Sequence, residues 1–271
     1  MLKYEKGVEA MYESIIVEKE GAVGIISLNR PKKLNSLNLK VFQEMSDALK
    51  ECTQDNDLKV LILSGSEKVF GAGADLKMIS EEAPTSLKAH YFFSRQALPI
   101  YHQLAEFPGP TIAAISGLAL GGVFELALAC DLRIASETAT FGLPEINLGL
   151  IPGGGGTQRL PRLVGMTKAK ELLFTGDTFD AQEAYRIGLV NKVVAPDRLM
   201  EEAKYMANRL AQKPAFALQL LKKAVNQGME LPLPLALELE GRCFELLFST
   251  EDAKEGIRAF MEKRKPNFPG N

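Results

Sequence analysis

The chain of 271 residues has few of the side chains that carry metal or covalent chemistry: three cysteines and two histidines. Cys52, Cys130 and Cys243 are odd in number, far apart and outside any CxxC pair. This pattern disfavours a disulfide framework or a zinc site and predicts a reducing, cytoplasmic setting. His90 and His102 lie in a helical run of mixed polarity, where we expect surface residues rather than catalysts. No metal site is predicted.

Net charge is also small, and the formal value of −2 predicts neither a nucleic-acid surface nor disorder. The first residues lack the pattern of a secretory signal. One stretch, Thr111 to Cys130, is long and apolar enough to suggest a membrane span, but it contains a carboxylate, Glu125. Its first half, "TIAAIS", reads as a short strand, and no second span exists to pair with it. We therefore expect this stretch in the core of a soluble protein, with no membrane contact.

Strand and helix patterns alternate along most of the chain. Strand patterns such as "LKVLILSG", "TIAAIS" and "DLRIAS" are separated by helical runs, one of them from about residue 86 to 107. This alternation predicts an α/β core with largely parallel strand pairing. Later in the chain only helix patterns follow one another. We therefore predict a peripheral extension (1–10), an α/β core (11–196) and a helical C-terminal region (197–271).

Two glycine-rich stretches resemble nucleotide-binding motifs, but neither has all the residues that such a motif requires. "GAGADL" lacks the third glycine of a dinucleotide fingerprint, and "IPGGGGTQR" lacks the Gly-Lys-Ser/Thr ending of a phosphate loop. Glycine does let the backbone approach a ligand closely, and "GAGADL" and "LGG" each precede a helical pattern whose first amides lack partners. Two such amides that converge on one point would form an oxyanion hole.

Two glutamates stand in apolar surroundings flanked by these glycine turns: Glu125 in "GLALGGVFELALAC" and Glu145 in "FGLPEINLGLIPGGGG". A buried glutamate can be a structural hydrogen-bond partner. Paired carboxylates are also what acid–base chemistry on a water requires, and burial would move their pKa values toward neutrality. The residues alone do not place the two side by side, so both interpretations stay open at this point.

Six longer motifs together resemble those of one protein family. They are "NRPKKLNSLN", "FGAGADLKM", "PTIAAISGLALGGVFELALACDLRIAS", "FGLPEINLGLIPGGGGTQRLPRLVG", "FTGDTFDAQEAYRIGLVNKVV" and "FMEKRKPNF". From about Met11 to Phe268 the chain resembles the enoyl-CoA hydratase/isomerase (crotonase) family. The resemblance implies a spiral of ββα units, a C-terminal helical trimerisation region and a homohexamer built as a dimer of trimers.

The resemblance also implies roles for single residues. The amides of Ala74 and Gly122 would hold the thioester oxygen of an acyl-CoA substrate. Glu125 would deprotonate the water that adds at Cβ, and Glu145 would deliver the proton to Cα. The amide of Gly153 would help to position Glu145 and the water.

Further positions match the coenzyme A site of the family. Ala72, Ala74 and Leu76 correspond to the backbone that lines the adenine pocket. Lys77 and Lys263 correspond to basic residues near the nucleotide phosphates, although each could equally be a solvated surface lysine. No cofactor is implied, because coenzyme A enters as part of the substrate.

The chain departs from the common family pattern at Val123 and Leu143. The first stands where many hydratases have glycine, and the second where many have glutamine. We expect both residues close to the acyl group, so that these changes bear on acyl-chain preference more than on the reaction class.

The presence of both glutamates distinguishes between the alternative functions. The resemblance implies that isomerases usually keep only the second one and that dehalogenases and decarboxylases replace these positions. Retention of both favours an enoyl-CoA hydratase, most like a short-chain one. A branch of the family binds AU-rich RNA, which requires a basic stripe. The only dense basic cluster here is "EKRKP", which the coenzyme would already occupy, so nucleic-acid binding is not expected.

Overall fold

The computed structural model describes residues 12–270, and the predicted extension, residues 1–10, lies outside them. Within the described residues, ten strands form two sheets. The strands are Ile15–Glu20 (β1), Val23–Leu28 (β2), Val60–Ser64 (β3), Val69–Ala72 (β4), Thr111–Ile115 (β5), Leu118–Leu120 (β6), Leu132–Ser136 (β7), Thr140–Gly142 (β8), Phe179–Asp180 (β9) and Lys192–Val194 (β10).

Helices connect the strands and form the C-terminal third of the same range. They are Leu39–Gln54 (α1), Leu76–Glu82 (α2), Ser86–Phe92 (α3), Leu98–Ala105 (α4), Gly121–Ala129 (α5), Gly156–Val164 (α6), Met166–Thr175 (α7), Ala181–Arg186 (α8), Leu199–Ala211 (α9), Ala215–Gly228 (α10), Leu233–Leu247 (α11) and Glu251–Met261 (α12). None of the helices described is long and apolar enough to cross a membrane.

The chain repeats a unit of two strands and a helix. In β3-β4-α2, β5-β6-α5 and β7-β8-α6 the first strand joins a six-stranded sheet, ordered β1-β2-β3-β5-β7-β10. The second strand joins a four-stranded sheet, ordered β4-β6-β8-β9. Strand pairs are parallel except β1–β2 and β8–β9. The predicted α/β succession of ββα units followed by helices is confirmed.

The six-stranded sheet is covered on both faces, which explains why β3 ("VLILS") and β5 ("TIAAI") are buried along their whole length. One face packs with α1, α4 and α5 in the larger apolar cluster. The other face packs against α9, through Leu199, Ala203 and Ala207. The first helix after residue 196 therefore shares the core of the sheet, and the predicted boundary at that residue stays a prediction.

Two parts of the fold differ from the predictions. The single helix expected over 86–107 is α3, a π-helical turn (Phe93–Ala97) and α4. Pro99 in the first turn of α4 has no N–H to continue the helical hydrogen-bond ladder, which is a physical reason for the interruption. Strands β4 and β6 are absent from the predicted strand patterns, because four and three residues are too few to show an alternating pattern.

Candidate active site

Two glycine turns lie side by side where the parallel strands β4 and β6 end. Gly73 and Gly121 have φ values of +89° and +51°, in the left-handed region that favours glycine. A Cβ built on Gly121 would lie 3.4 Å from Cα of Gly73, so the two backbones are close together. The residues that follow these glycines, Ala74 and Gly122, are therefore neighbours across the two turns.

The amides of these two neighbours are not used by the fold. The hydrogen bonds on either side of Ala74 run from Leu37 N–H to Gly73 O and from Asp75 N–H to Leu37 O, both at 2.8 Å. The N–H of Ala74 itself makes no hydrogen bond within residues 12–270. Gly122 lies in the first turn of α5, where amides lack intrahelical partners and no side chain caps the helix. This arrangement can bind an oxygen that develops negative charge.

Glu125 projects from α5 and is only 2% exposed. Its Oε1 accepts hydrogen bonds from the amides of Gly154 and Gly156, at 2.8 and 2.7 Å. Burial raises the pKa of Glu125, whereas these two amides and the charge of Arg159 act to lower it. The amides thus partly compensate the carboxylate for its removal from water, and its second oxygen, Oε2, accepts no hydrogen bond from residues 12–270.

The two amides that bond to Glu125 belong to the glycine run, residues 153–156, which follows Pro152. They donate to Glu125 and not to Glu145. Gly153, whose amide the family resemblance assigns to Glu145 and the water, lies in the same run. Its predicted role stays a prediction. The run itself was visible in the sequence, but its specific donors, Gly154 and Gly156, were not.

Glu145 lies in a 3₁₀ turn, Pro144–Leu148, and faces the first glycine of α5. Its Oε1 would lie 3.0 Å from a Cβ built on Gly121, and its Oε2 is buried with no hydrogen-bond partner in the part of the chain described. Burial, together with the charge of Glu125, raises the pKa of Glu145 to about 7. A carboxyl group in this state can give and take a proton near neutral pH.

Tyr101 of α4 lies between the glycine turn at Gly122 and the glycine run. No sequence pattern indicated this residue. Its hydroxyl donates to Gly122 O at 3.1 Å. A Cβ built on Gly154 would lie 2.5 Å from Cζ of its ring. Burial and the charges of Glu125 and Glu145 raise the pKa of Tyr101, so it stays a neutral phenol.

The residues predicted to bind coenzyme A divide into two groups. Ala72 ends β4, and Leu76 and Lys77 begin α2, directly after the amide of Ala74. Leu76 is 56% exposed, and Nζ of Lys77 forms an ion pair with Glu81, at 3.8 Å. Lys263 is exposed beyond the end of α12, and within residues 12–270 no hydrogen bond or ion pair joins it to Ala72, Leu76 or Lys77. The coenzyme role of all four residues remains a prediction.

The two departures from the family pattern have different surroundings. Val123 is fully buried, and its Cγ1 would lie 2.5 Å from a Cβ built on Gly71 of β4. Core packing against β4 accounts for the burial of this valine, and its expected place near the acyl group stays a prediction. Leu143 does lie beside the site, since its Cδ1 would be 2.8 Å from a Cβ built on Gly156.

The histidines and the acidic residues form no metal site in residues 12–270, where no group of three possible ligands occurs. His90 and His102 are exposed on α3 and α4, which confirms the expectation of surface residues.

Known proteins match the chain along nearly its whole length. The family model for enoyl-CoA hydratase/isomerase matches residues 18–271. The crotonyl-CoA hydratase of Syntrophomonas wolfei is 45% identical over 258 residues, which cover 95% of this chain and 98% of the relative. The short-chain-enoyl-CoA hydratase of Clostridium acetobutylicum is 45% identical over 253 residues, covering 93% and 96%. The solved structure of an enoyl-CoA hydratase from Bacillus anthracis matches with a TM-score of 0.90 at 41% identity, covering 96% and 100%.

The raised pKa of Glu145 predicts a pH-dependent effect on stability. A carboxyl group whose pKa rises from 4.5 to about 7 on folding stabilises the fold fully below the lower value. That contribution is lost as the pH rises through the folded-state pKa. Glu145→Gln stays neutral, so its melting temperature should equal that of the wild type at pH 4.5 and exceed it at about pH 8.5.

The matched control is Glu137→Gln, at an exposed glutamate that follows β7. Its melting temperature should follow the wild type at both pH values. A Glu145→Gln variant that melts at or below the wild-type temperature at the higher pH would contradict the burial of an ionisable group at this position.

Proposed function

Because the chain belongs to the enoyl-CoA hydratase/isomerase family, we propose that it catalyses the reversible syn addition of water to trans-2-enoyl-CoA, giving 3-hydroxyacyl-CoA. The observation that carries the proposal is the buried Glu125 and the half-buried Glu145 beside two unused amides. The names of the relatives, crotonyl-CoA hydratase and short-chain-enoyl-CoA hydratase, favour a short acyl chain. Coenzyme A enters as part of the substrate, and the reaction needs no other cofactor.

The reaction begins with the thioester oxygen between the amides of Ala74 and Gly122. Glu125 takes a proton from the water, whose oxygen forms the new bond to Cβ. The π electrons of the Cα–Cβ bond move toward the thioester oxygen, and the two amides stabilise the charge of the resulting enolate. Glu145 then donates its proton to Cα, which restores the carbonyl.

The two glutamates exchange roles in the reverse direction. Hydration starts with Glu125 ionised and Glu145 protonated, and it ends with the proton on Glu125. Dehydration runs from that second state back to the first. The active pair therefore carries one proton in both directions, which agrees with the pKa of about 7 at Glu145 and with the amide bonds to Glu125.

The alternative functions receive no support from the site. An isomerase needs one carboxylate to move a proton between carbons, whereas both glutamates are present here beside the glycine turns. RNA binding would require a free basic cluster. In "EKRKP", Arg264 is already paired with Glu255 and Glu262, each at 2.6 Å.

We further propose that the protein is a homohexamer, a dimer of trimers, in which the C-terminal helices form contacts between subunits. Leu221, Val225 and Met229 make a stripe at helical spacing on α10 and are 61%, 56% and 80% exposed. Leu233 and Phe244 of α11 add further exposed apolar side chains. An apolar surface of this extent is typical of protein interfaces. The cytoplasmic location stays a prediction, which rests on the cysteine pattern.

The first test replaces either glutamate. Glu125→Gln and Glu145→Gln should each lower the kcat for hydration of crotonyl-CoA by about 10²–10⁴-fold, the scale for loss of a positioned acid or base. The two roles separate on butyryl-CoA in D₂O, which has Cα protons but no double bond to hydrate. Glu125→Gln should still exchange Cα protons through Glu145, and Glu145→Gln should not.

Glu137→Gln serves as the control and should keep the wild-type rate. Near wild-type hydration by Glu125→Gln would show that the assignment of two catalytic glutamates is wrong. Exchange of Cα protons by Glu145→Gln, but not by Glu125→Gln, would show that the roles are reversed.

The second test concerns assembly. Sedimentation equilibrium should give six times the chain mass of 29.7 kDa for the wild type. The double variant Val225→Glu/Met229→Glu introduces charge into the apolar stripe and should yield smaller species. Gln227→Glu, on a different face of the same helix, should leave the mass unchanged. A hexameric double variant, or a monomeric wild type, would contradict the proposed interface.

A further inference from the structure

The glycine run that holds Glu125 is itself held by Arg159, from the first turns of α6. Nη1 of Arg159 donates to Gly154 O at 2.8 Å, while Gly154 N–H donates to Glu125 Oε1. The guanidinium also fills the space beside Gly155, where an added Cβ would clash with Nη1. Gly155 has a φ of +111°, so both its conformation and its neighbour require glycine. The side chain of Arg159 thus fixes the run that presents two amides to Glu125.

Arg159 is also a cation without a paired anion. It is half-buried, and no carboxylate lies within ion-pair distance of it in residues 12–270. Arg162, one turn further along α6, lies 3.1 Å from Glu230 and is 54% exposed. The charge of Arg162 is therefore neutralised and solvated, whereas that of Arg159 acts on the interior of the site.

Few other ionisable groups face Glu125. Tyr101 faces it from α4 and is a neutral phenol, and Glu145 faces it from the 3₁₀ turn and carries like charge when ionised. Helix α5 has no other ionisable side chain. Arg159 is thus the cation that the site places toward Glu125.

We propose that Arg159 is a positioning residue of the hydration site, which holds the glycine run by its hydrogen bond and favours the ionised, basic form of Glu125 by its charge. This inference rests on the proposed function. Arg159 does not touch the substrate in this account. Its removal should therefore lower kcat through Glu125, with little change in KM for the acyl-CoA.

The pH profile separates the charge from a purely structural role. The charge of Arg159 acts to lower the pKa of Glu125, and a nearby opposite charge typically shifts the pKa of a carboxyl group by about 1–3 units. The acid limb of kcat/KM, which reports protonation of Glu125, should therefore move to higher pH by about one unit or more in Arg159→Gln. The alkaline limb, set by Glu145, should stay in place. Arg159→Lys keeps the charge and should keep the wild-type acid limb.

Hydration of crotonyl-CoA would be measured from about pH 5 to 9, with rates expressed per folded molecule. Arg159→Met provides a second neutral variant if Arg159→Gln does not fold, and Arg162→Met is the matched control with a wild-type profile. The inference would be overturned if a neutral variant kept the wild-type position of the acid limb. It would also be overturned if the acid limb of Arg159→Lys moved to the same pH as that of the neutral variants. A wild-type protein that does not hydrate crotonyl-CoA would instead overturn the proposed function itself.

Discussion

The two hydrogen bonds from a glycine run to Glu125 are the interaction on which the site depends. An ionised carboxylate that is 2% exposed would be very costly without compensation. The amides of Gly154 and Gly156 supply much of that compensation and fix the orientation of Oε1. Because Glu125 stands one turn after the start of α5, the same bonds tie the glycine run to the helix end that presents Gly122. The proposed base and one of the two proposed oxyanion donors therefore belong to one helix.

The second constraint is the difference between the two glutamates. Glu125 receives two amides and lies near a cation, whereas Oε2 of Glu145 is buried with no hydrogen-bond partner among the residues described. Both groups are removed from water, but Glu125 has two amides of the glycine run and a nearby cation that favour its charged form, whereas ionised Glu145 is favoured by its own backbone amide. Surroundings that push the pKa values of two carboxyl groups apart assign one as base and the other as acid. A single proton on the pair follows from this difference.

The sequence predicted those parts of the fold and site that local patterns encode. The fully apolar strands indicated parallel pairing, and the glutamates stood out because charge in an apolar frame is rare. The motifs of the family then implied which amides face the substrate. Tyr101 and Arg159 could not be predicted in the same way, because their roles arise only where α4 and α6 meet the glycine run. The contact of Val123 with Gly71 could not be predicted for a similar reason, since it depends on how α5 packs against β4.

The central claim is that Glu145, and not Glu125, carries the shared proton before hydration. Infrared difference spectroscopy of the substrate-free protein tests it most directly, because the C=O band of a protonated carboxyl group reports each glutamate separately in the Glu→Gln variants. The account predicts a band that titrates at about pH 7 in the wild type and is absent from Glu145→Gln. In Glu125→Gln the band should persist but titrate at lower pH, since the neighbouring negative charge has been removed. A band that disappears in Glu125→Gln and remains in Glu145→Gln would contradict the account.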